Sequence, residues 1–551
     1  MMYQIKNKIA LLVLGLIVLS SCHGLEDLNE NPNQIGEDNV DPNLLLATVI
    51  SGTAKDVVSK GFGDIAGVMQ HTQKDGWSGG HNSYDWDNRS NSWNGYYSLL
   101  LNDKTLIEKA EIDNFEFHIG AGLVLKSYLF GTITDLYGDA PYSNALKGDE
   151  GVDFFDASFD NQKDIYTGVL ADLERANTLL SKGQGEYFAI QEEQDILFEG
   201  NASKWRKFAN SVALRYYMRL SEKEPALAEA GIRRITSNPT QYPLILTAAD
   251  DANVDYVGSS GADSWPSTTQ FNDDPAGAYF RIKMAATLVD ALLALDDPRL
   301  GVWANKIETP LVLAEGEPED TDEIRDGERF VGQKLVDDHL ELVGVPVNYN
   351  KEYVGLPTAI PFGPAFNLKI NPSQGTYNPS VSQLNDIYKA ASGPLLKARL
   401  ISAAEVNFIL AEAALKGWTT GSAENYYNEG IKQSFEAWGV GEDYADYMSG
   451  KSFGGLEDIM EQKWIASWTS AAQSWFDYRR TGLPNVFTEG PSRKRAAIPL
   501  RFYYNIDEIN TNTENANSAI DKLETTPFTA PDSKNSAWSK MWLLQGTGKP
   551  Y

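Results

Sequence analysis

The sequence predicts a mostly α-helical protein in which a frame of helices carries long irregular insertions. Apolar residues recur at helical spacing along most of the chain. No alternating apolar and polar run is long enough for a large sheet. Two stretches, about 239–278 and 304–395, are instead rich in Pro, Gly, Asn and Asp and have weak periodicity. Segments that long without regular structure inside a compact domain are usually functional. The helices therefore read as the rigid support for a loop-built site.

The chain opens MMYQIKNKIALLVLGLIVLSSC. Lys6 and Lys8 precede an apolar run, Ile9 to Leu19, that is too short to span a bilayer as a helix and suits a secretory leader. In place of a small-x-small cleavage site the run ends Leu19-Ser20-Ser21-Cys22, which resembles a bacterial lipobox. Residues 1–21 then form a lipoprotein signal peptide, and Cys22 becomes a lipidated N-terminus that anchors the protein to a membrane. Cys22 is the only cysteine among 551 residues, so no intramolecular disulfide can form. Residues 22–40 are polar and acidic and read as a flexible tether, which leaves 41–551 as one folded unit.

Helix signals begin at Asp41-Pro42, an N-cap followed by proline at the first helical position. Leu46, Ile50, Ala54 and Val57 follow at helical spacing. A second helix carries Phe117, Ala121, Leu125, Tyr128, Ile133 and Leu136, and stops at Gly138 and Pro141. A third carries Ile165, Val169, Leu173, Ala176 and Leu180. Further helices are expected at about 202–221, 279–295, 400–417, 422–437 and 456–479. The pair 400–417 and 422–437, joined at Gly417-Trp418, looks like a tetratricopeptide hairpin.

The formal charge is −29, and removal of the leader, with its two lysines and no acids, makes it −31. Such a chain is repelled by nucleic acid and other anionic polymers, so a neutral ligand is expected. Gly76-Trp77-Ser78-Gly79-Gly80 matches G-x-S-x-G, but a nucleophile elbow needs a strand before the serine and a helix after it. The flanking VMQHTQKD is polar and NSYDWDNRSN is loop-like. Asp251, Asn253 and Asp255 imitate the start of a calcium loop. Tyr256 stands where that loop needs glycine and Ala262 where it needs a bidentate glutamate. His23, His71, His81, His118 and His339 show no metal-ligand spacing. No catalytic residue, metal or cofactor is expected.

Five segments, in order along the chain, carry a family resemblance. They are DLYGDAPYSNAL (135–146), NASKWRKFANSVALR (201–215), AEVNFILAEAALKGW (404–418), EQKWIASWTSAAQSWFDYRRTGLP (461–484) and RKRAAIPLRFYYNIDEINTN (493–512). Behind a lipobox, this series resembles the SusD/RagB family of surface glycan-binding lipoproteins. The last segment departs from the usual pattern at Arg501-Phe502-Tyr503-Tyr504. The resemblance implies a right-handed superhelical frame of four tetratricopeptide-like units and a glycan site built by loops. It also implies a SusC-like TonB-dependent transporter as partner and a lipid-anchored, surface-exposed place on the outer membrane. Glu26, Asp27 and Glu30 loosely resemble the surface-export signal of such lipoproteins. Among neutral glycans, a β-glucan such as laminarin is the expected ligand because some relatives bind it.

The stretch GWSGGHNSYDWDNRSNSWNGYY (76–97) is where rings and loop formers coincide. Trp93, Tyr96, Tyr97 and Leu100 fall at helical spacing and read as core. Trp205, Trp418, Trp438, Trp464, Trp468, Trp475, Trp538 and Trp542 receive the same reading. Trp77, Tyr84 and Trp86 have no helical partners, nor does Trp265 in SSGADSWPSTTQFNDDP. These four are the expected sugar platforms, because the C–H face of a pyranose is apolar and its hydroxyls need polar partners at the rim. The expected rim is Asn82, Asp85, Asp87, Asn88, Arg89 and Asp263. One stacked ring that hides about 100 Å² of apolar area contributes about 2.5 kcal/mol. Two alternatives stand beside this reading. A glycoside hydrolase would employ carboxylates such as Asp85 and Asp87, and a receptor could capture peptides.

Overall fold

The computed structural model describes residues 40–271 and 277–551. Cys22, the leader and nearly all of the tether lie outside the described residues. The first helix, α1 (Pro42–Gly61), starts as its cap residues dictate: the Asn43 amide donates to the Asp41 carboxylate at 2.9 Å, and Pro42 occupies the first turn. Leu46, Ile50 and Ala54 are buried, and Val57 is half-buried. Then follow α2 (Asn94–Asp113), α3 (Glu116–Tyr137), α4 (Gln162–Leu179), α5 (Ala202–Arg219) and α6 (Pro225–Ser237), each packed on its predecessor. Helix α3 is buried nearly all round and ends at Gly138, whose φ of +98° is open to glycine and strained for other residues.

A short helix, α7 (Gln333–Val343), lies within the second insertion. The second bundle comprises α8 (Ala403–Leu415), α9 (Ala423–Ala437), α10 (Leu456–Ala466) and α11 (Ala472–Thr481). Ser402 and Ser422 cap α8 and α9 by accepting from the amides three residues on. Helix α8 packs on α9, on α10 and on α5, which joins the two halves of the frame. The hairpin expected at 400–437 is present, with Gly417 at φ +72° in its turn.

The resemblance segments turn out to supply the joints of this frame. Arg215 of α5 holds Glu405 of α8 through two 2.7 Å bonds, and Arg480 of α11 holds Glu412 of α8. Asp477 faces Lys463 at 2.7 Å, and Asp135 accepts from Tyr166 at 2.7 Å. All these side chains are buried except that of Glu405, which is mostly buried. A buried charge of this kind persists only when paired, so these residues fix which helices meet. Trp205, Trp464, Trp468, Trp475 and Trp538 are each at most 1 % exposed and fill the space between.

Three boundaries differ from expectation. The helix expected over 279–295 is split: Ile282–Met284 is a strand pairing with Thr72–Lys74, and helix resumes at Ala286. Pairing with a strand two hundred residues distant cannot be read from local periodicity. The helix expected over 456–479 breaks at Ser467–Ala471, where the Ser467 and Ser470 hydroxyls bond back to main-chain carbonyls and compete with helix. Insertion 304–395 is more ordered than its composition suggests. It contains α7 and a three-stranded sheet.

The strands used below are β1 (Thr72–Lys74), β2 (Ala252–Asp255), β3 (Ile282–Met284), β4 (Leu311–Leu313), β5 (Asp322–Arg325), β6 (Glu328–Val331) and β7 (Lys397–Ile401). β1 pairs antiparallel with β3, β2 antiparallel with β7, and β6 lies between parallel β4 and antiparallel β5. Among the described residues no helix is long and apolar enough to cross a membrane.

Candidate functional site

β1 ends at Lys74, and the chain then turns through Asp75–Ser78 into a short helical turn, Gly79–Asn82. Asn82 closes the base of this loop from both sides. Its carbonyl oxygen accepts from the Lys74 amide at 2.9 Å, and its amide donates to the Lys74 carbonyl at 2.7 Å. His81, buried beneath, lies 3.0 Å from the Thr72 hydroxyl. Trp77 stands at the tip with 66 % of its surface exposed and φ of +46°. A non-glycine residue there is held against its preference by its surroundings, a condition that concentrates at ligand sites.

The surroundings that hold it come from β3 with the residue before it and from the insertion 304–395. The Asp75 amide donates to the Arg281 carbonyl at 3.0 Å, and the Asp75 carboxylate accepts from the Gly375 amide at 2.9 Å. Lys283 of β3 lies 3.7 Å from the same carboxylate. Burial pushes the Asp75 carboxyl up and the Lys283 ammonium down to about 8, while each group's charge opposes its partner's shift. A Cβ at Gly76 would collide with Gln374, so glycine is what lets that side chain lie against the loop. The Arg281 guanidinium sits 5.6 Å from the centre of the Trp77 ring, within range of a cation–π contact. The segment Asp75 holds carries two more exposed rings, Phe362 and Tyr377. The result is a fixed, exposed tryptophan with a guanidinium beside its ring and the Gln374 side chain against its stem.

The other three expected platforms are not part of this surface. Tyr84 is fully buried with the Arg493 guanidinium 5.3 Å from its ring centre. Trp86 is 1 % exposed, donates its indole hydrogen to the Gly80 carbonyl at 2.9 Å, and packs on Phe502 and Trp475. Trp265 is 1 % exposed among Phe62, Tyr256 and Tyr388, with its indole bonded to Ser267 at 2.9 Å. In this structure these rings offer no face to a ligand. They lack helical partners in sequence but gain tertiary ones, and large rings go where a core can bury them.

The expected polar rim also divides. Asn82 is buried and structural, as described above. Asp85 and Asp87 are exposed on either side of Trp86. Lys494 lies 3.4 Å from Asp85, and Asp87 accepts from the Arg89 amide at 2.8 Å and from the Ser90 hydroxyl at 3.1 Å. The backbone bond from Arg89 holds the Asp87 carboxyl below its usual range, the reverse of what a general acid needs. Asn88 is half-buried and its main-chain carbonyl accepts from the Ile506 amide at 2.7 Å, and Arg89 is exposed. Asp263 caps the turn before Trp265 by accepting from the Ser260 amide at 2.7 Å. Among the described residues none of these six is hydrogen-bonded to Trp77. Sequence reasoning missed Asp75, Arg281 and Gln374, whose only signals were their places beside the stretch 76–97, just after the insertion 239–278 and within the insertion 304–395 respectively. Among the described residues no cluster of three or more His, Cys, Asp or Glu side chains could hold a metal ion.

Comparison with known proteins follows the frame. The family described as SusD-like, starch-binding and associating with the outer membrane, matches residues 32–317 and 347–505. No functionally curated protein matches the sequence. A SusD homolog from Bacteroides fragilis superimposes with a TM-score of 0.69 at 22% identity, covering 92% of this chain and 100% of that one. A second from the same organism gives 0.67 at 23% identity, with 92% and 99% covered. A chitin-binding SusD homolog from Flavobacterium johnsoniae gives 0.67 at 19% identity, with 91% and 99% covered. At these identities the superpositions speak for the fold, while the family match spans most of the sequence. The gap in that match, 318–346, removes only β5, β6, α7 and their connections. This chain belongs to the SusD-like family of starch-binding proteins that associate with the outer membrane.

Proposed function

We propose that this protein captures a neutral polysaccharide or oligosaccharide at the Trp77 rim and hands it to a SusC-like TonB-dependent transporter, without catalysis. The observation that carries the reading is Trp77 itself: an indole two-thirds exposed at the tip of a loop pinned on three sides. A pyranose stacks on such a face, and Arg281 beside the ring can meet its hydroxyls. A single platform contributes about 2.5 kcal/mol before the cost of association, so binding is weak unless several sugar units bind at once. Weak binding suits a receptor that must release its ligand to a transporter. A lipid on Cys22 and the acidic tether to residue 40 would leave the folded unit free to swing against that partner.

The glycan is taken to be neutral, because the strongly negative chain disfavours anionic polymers, and among neutral glycans a β-glucan of the laminarin type is proposed on the family resemblance. A second reading, β-linked N-acetylglucosamine, has the chitin-binding homolog in its favour. Affinity electrophoresis against laminarin, starch, chitin oligosaccharides and an anionic polysaccharide separates these. Retardation by laminarin, lost in Trp77→Ala, supports the reading; retardation that persists in Trp77→Ala places the site elsewhere. Cys22→Ala should release the protein from membranes, and co-purification from native membranes should bring down a large β-barrel.

A further inference from the structure

Arg281 is half-buried beside Trp77, and its guanidinium donates no hydrogen bond and forms no ion pair among the described residues. Every other arginine except exposed Arg89 donates at least one such bond. The Nε of Arg281 is sealed from solvent without a partner, whereas its two terminal nitrogens reach solvent. Lys74, the last residue of β1, is half-buried too, and its ammonium likewise has no hydrogen bond or ion pair among the described residues. Burial lowers the Lys74 ammonium from its ordinary value; Asp64 opposes this, and the Arg281 charge adds to it. The two cations therefore feel each other's charge, and neither is neutralised by a salt bridge.

The other charged groups around the loop have partners. Asp75 faces Lys283 and accepts from the Gly375 amide. Asp64 lies 3.8 Å from His81, and Asp85 lies 3.4 Å from Lys494. Lys369 donates to the carbonyls of Ser373 and Thr376. In a chain of net charge −29, carboxylates to pair with a cation are plentiful. Two cations left without one at the edge of an exposed tryptophan point to a partner that arrives with the ligand. A half-buried charge costs stability until it is paired. A carboxylate suits the place because a guanidinium offers it two parallel N–H donors.

We propose that Lys74 and Arg281 form an acid-recognising subsite beside Trp77, which takes the carboxylate of a uronic-acid unit carried on an otherwise neutral glycan. The proposal rests on the Trp77 platform and narrows its ligand. The charge of the whole chain still disfavours a polyanion. Exposed charges further away than about 8 Å are largely screened at physiological salt, so a single carboxylate answers mainly to the two cations next to it.

Saturation-transfer NMR titrations of methyl β-glucuronide and its uncharged twin, methyl β-glucoside, test this on wild type, Arg281→Gln, Lys74→Gln and Trp77→Ala. Wild type should bind the glucuronide about tenfold more tightly. About 0.5 M sodium chloride should erase most of that preference. Arg281→Gln should bring the two ligands to within about twofold of each other, and Lys74→Gln should cut the preference about threefold. Neither side chain is hydrogen-bonded within the protein, so both variants should melt close to wild type. Trp77→Ala should weaken both ligands alike. If it weakens neither, while the preference persists and Arg281→Gln removes it, the platform reading fails and the acid subsite stands. Equal affinity for the two ligands in wild type, no saturable glucuronide signal, or a preference untouched by Arg281→Gln and Lys74→Gln overturns the proposal.

Discussion

Trp77 and Trp86 stand nine residues apart in a segment of one composition, and the fold treats them oppositely. Trp77 is two-thirds exposed, at positive φ, with a guanidinium beside its ring. Trp86 is sealed against Phe502 and Trp475, and its indole hydrogen is used up on the Gly80 carbonyl. The difference lies in what distant chain arrives at each position. The C-terminal segment around Phe502 covers Trp86, whereas the elements that reach the Trp77 loop, β3 and the insertion 304–395, bond to its base at Asp75 and lie against Gly76. A ring in a loop is thus a plug when another element lies over it and a platform when elements grip only its stem.

The largest expected effect comes from the plugs. Trp86→Ala and Trp265→Ala each empty a packed ring site and should lower stability by about 3–5 kcal/mol, seen as an early thermal transition. The protein that remains folded should bind glycan like wild type. Loss of glycan binding in folded Trp86→Ala, with its melting point unchanged, would reverse the assignment of the two tryptophans.

Acid comes next. Burial lowers His81 to about 4 and His71 to about 3, so both stay neutral in the fold, whereas the unfolded chain takes up protons near 6.5. The unfolded state therefore binds more protons below that pH, and stability, complete above about 6.5, falls as pH drops towards 4. For His81 alone the loss is on the order of 3 kcal/mol. Unfolding measured from pH 7.5 to 4 should show this slope, and His81→Asn should flatten it by one proton. An unchanged slope in His81→Asn would mean that His81 does not hold the base of the Trp77 loop in neutral form.

Trp77→Ala should weaken glycan binding by about 2 kcal/mol, some thirtyfold, by titration calorimetry, with its melting point nearly unchanged. The smallest effect belongs to the exposed carboxylates. Asp85→Asn and Asp87→Asn should bind glycan within about twofold of wild type, as surface changes without packing usually do. Neither they nor wild type should release reducing ends. Turnover abolished by Asp85→Asn would make the protein a glycosidase.

From sequence alone the helical frame was legible, because α1, α3, α4, α5, α8 and α9 carry apolar residues at helical spacing, and α1, α5, α8 and α9 also carry side-chain N-caps. The family was legible too, since Asp135, Arg215, Glu405, Glu412 and Asp477 lie in the segments that carry the resemblance. Their role as ion-paired joints became visible only when the helices met. Helix breaks at 282–284 and 467–471 escaped because one depends on pairing with β1 and the other on serine hydroxyls competing within a strongly helical composition. The binding surface was legible only in part. Composition singled out Trp77 together with Tyr84, Trp86 and Trp265, and nothing local distinguishes the four. Their fates were decided by tertiary structure, for a physical reason: propensity and capping act within a few residues, whereas exposure of a ring depends on which remote segment comes to rest on it.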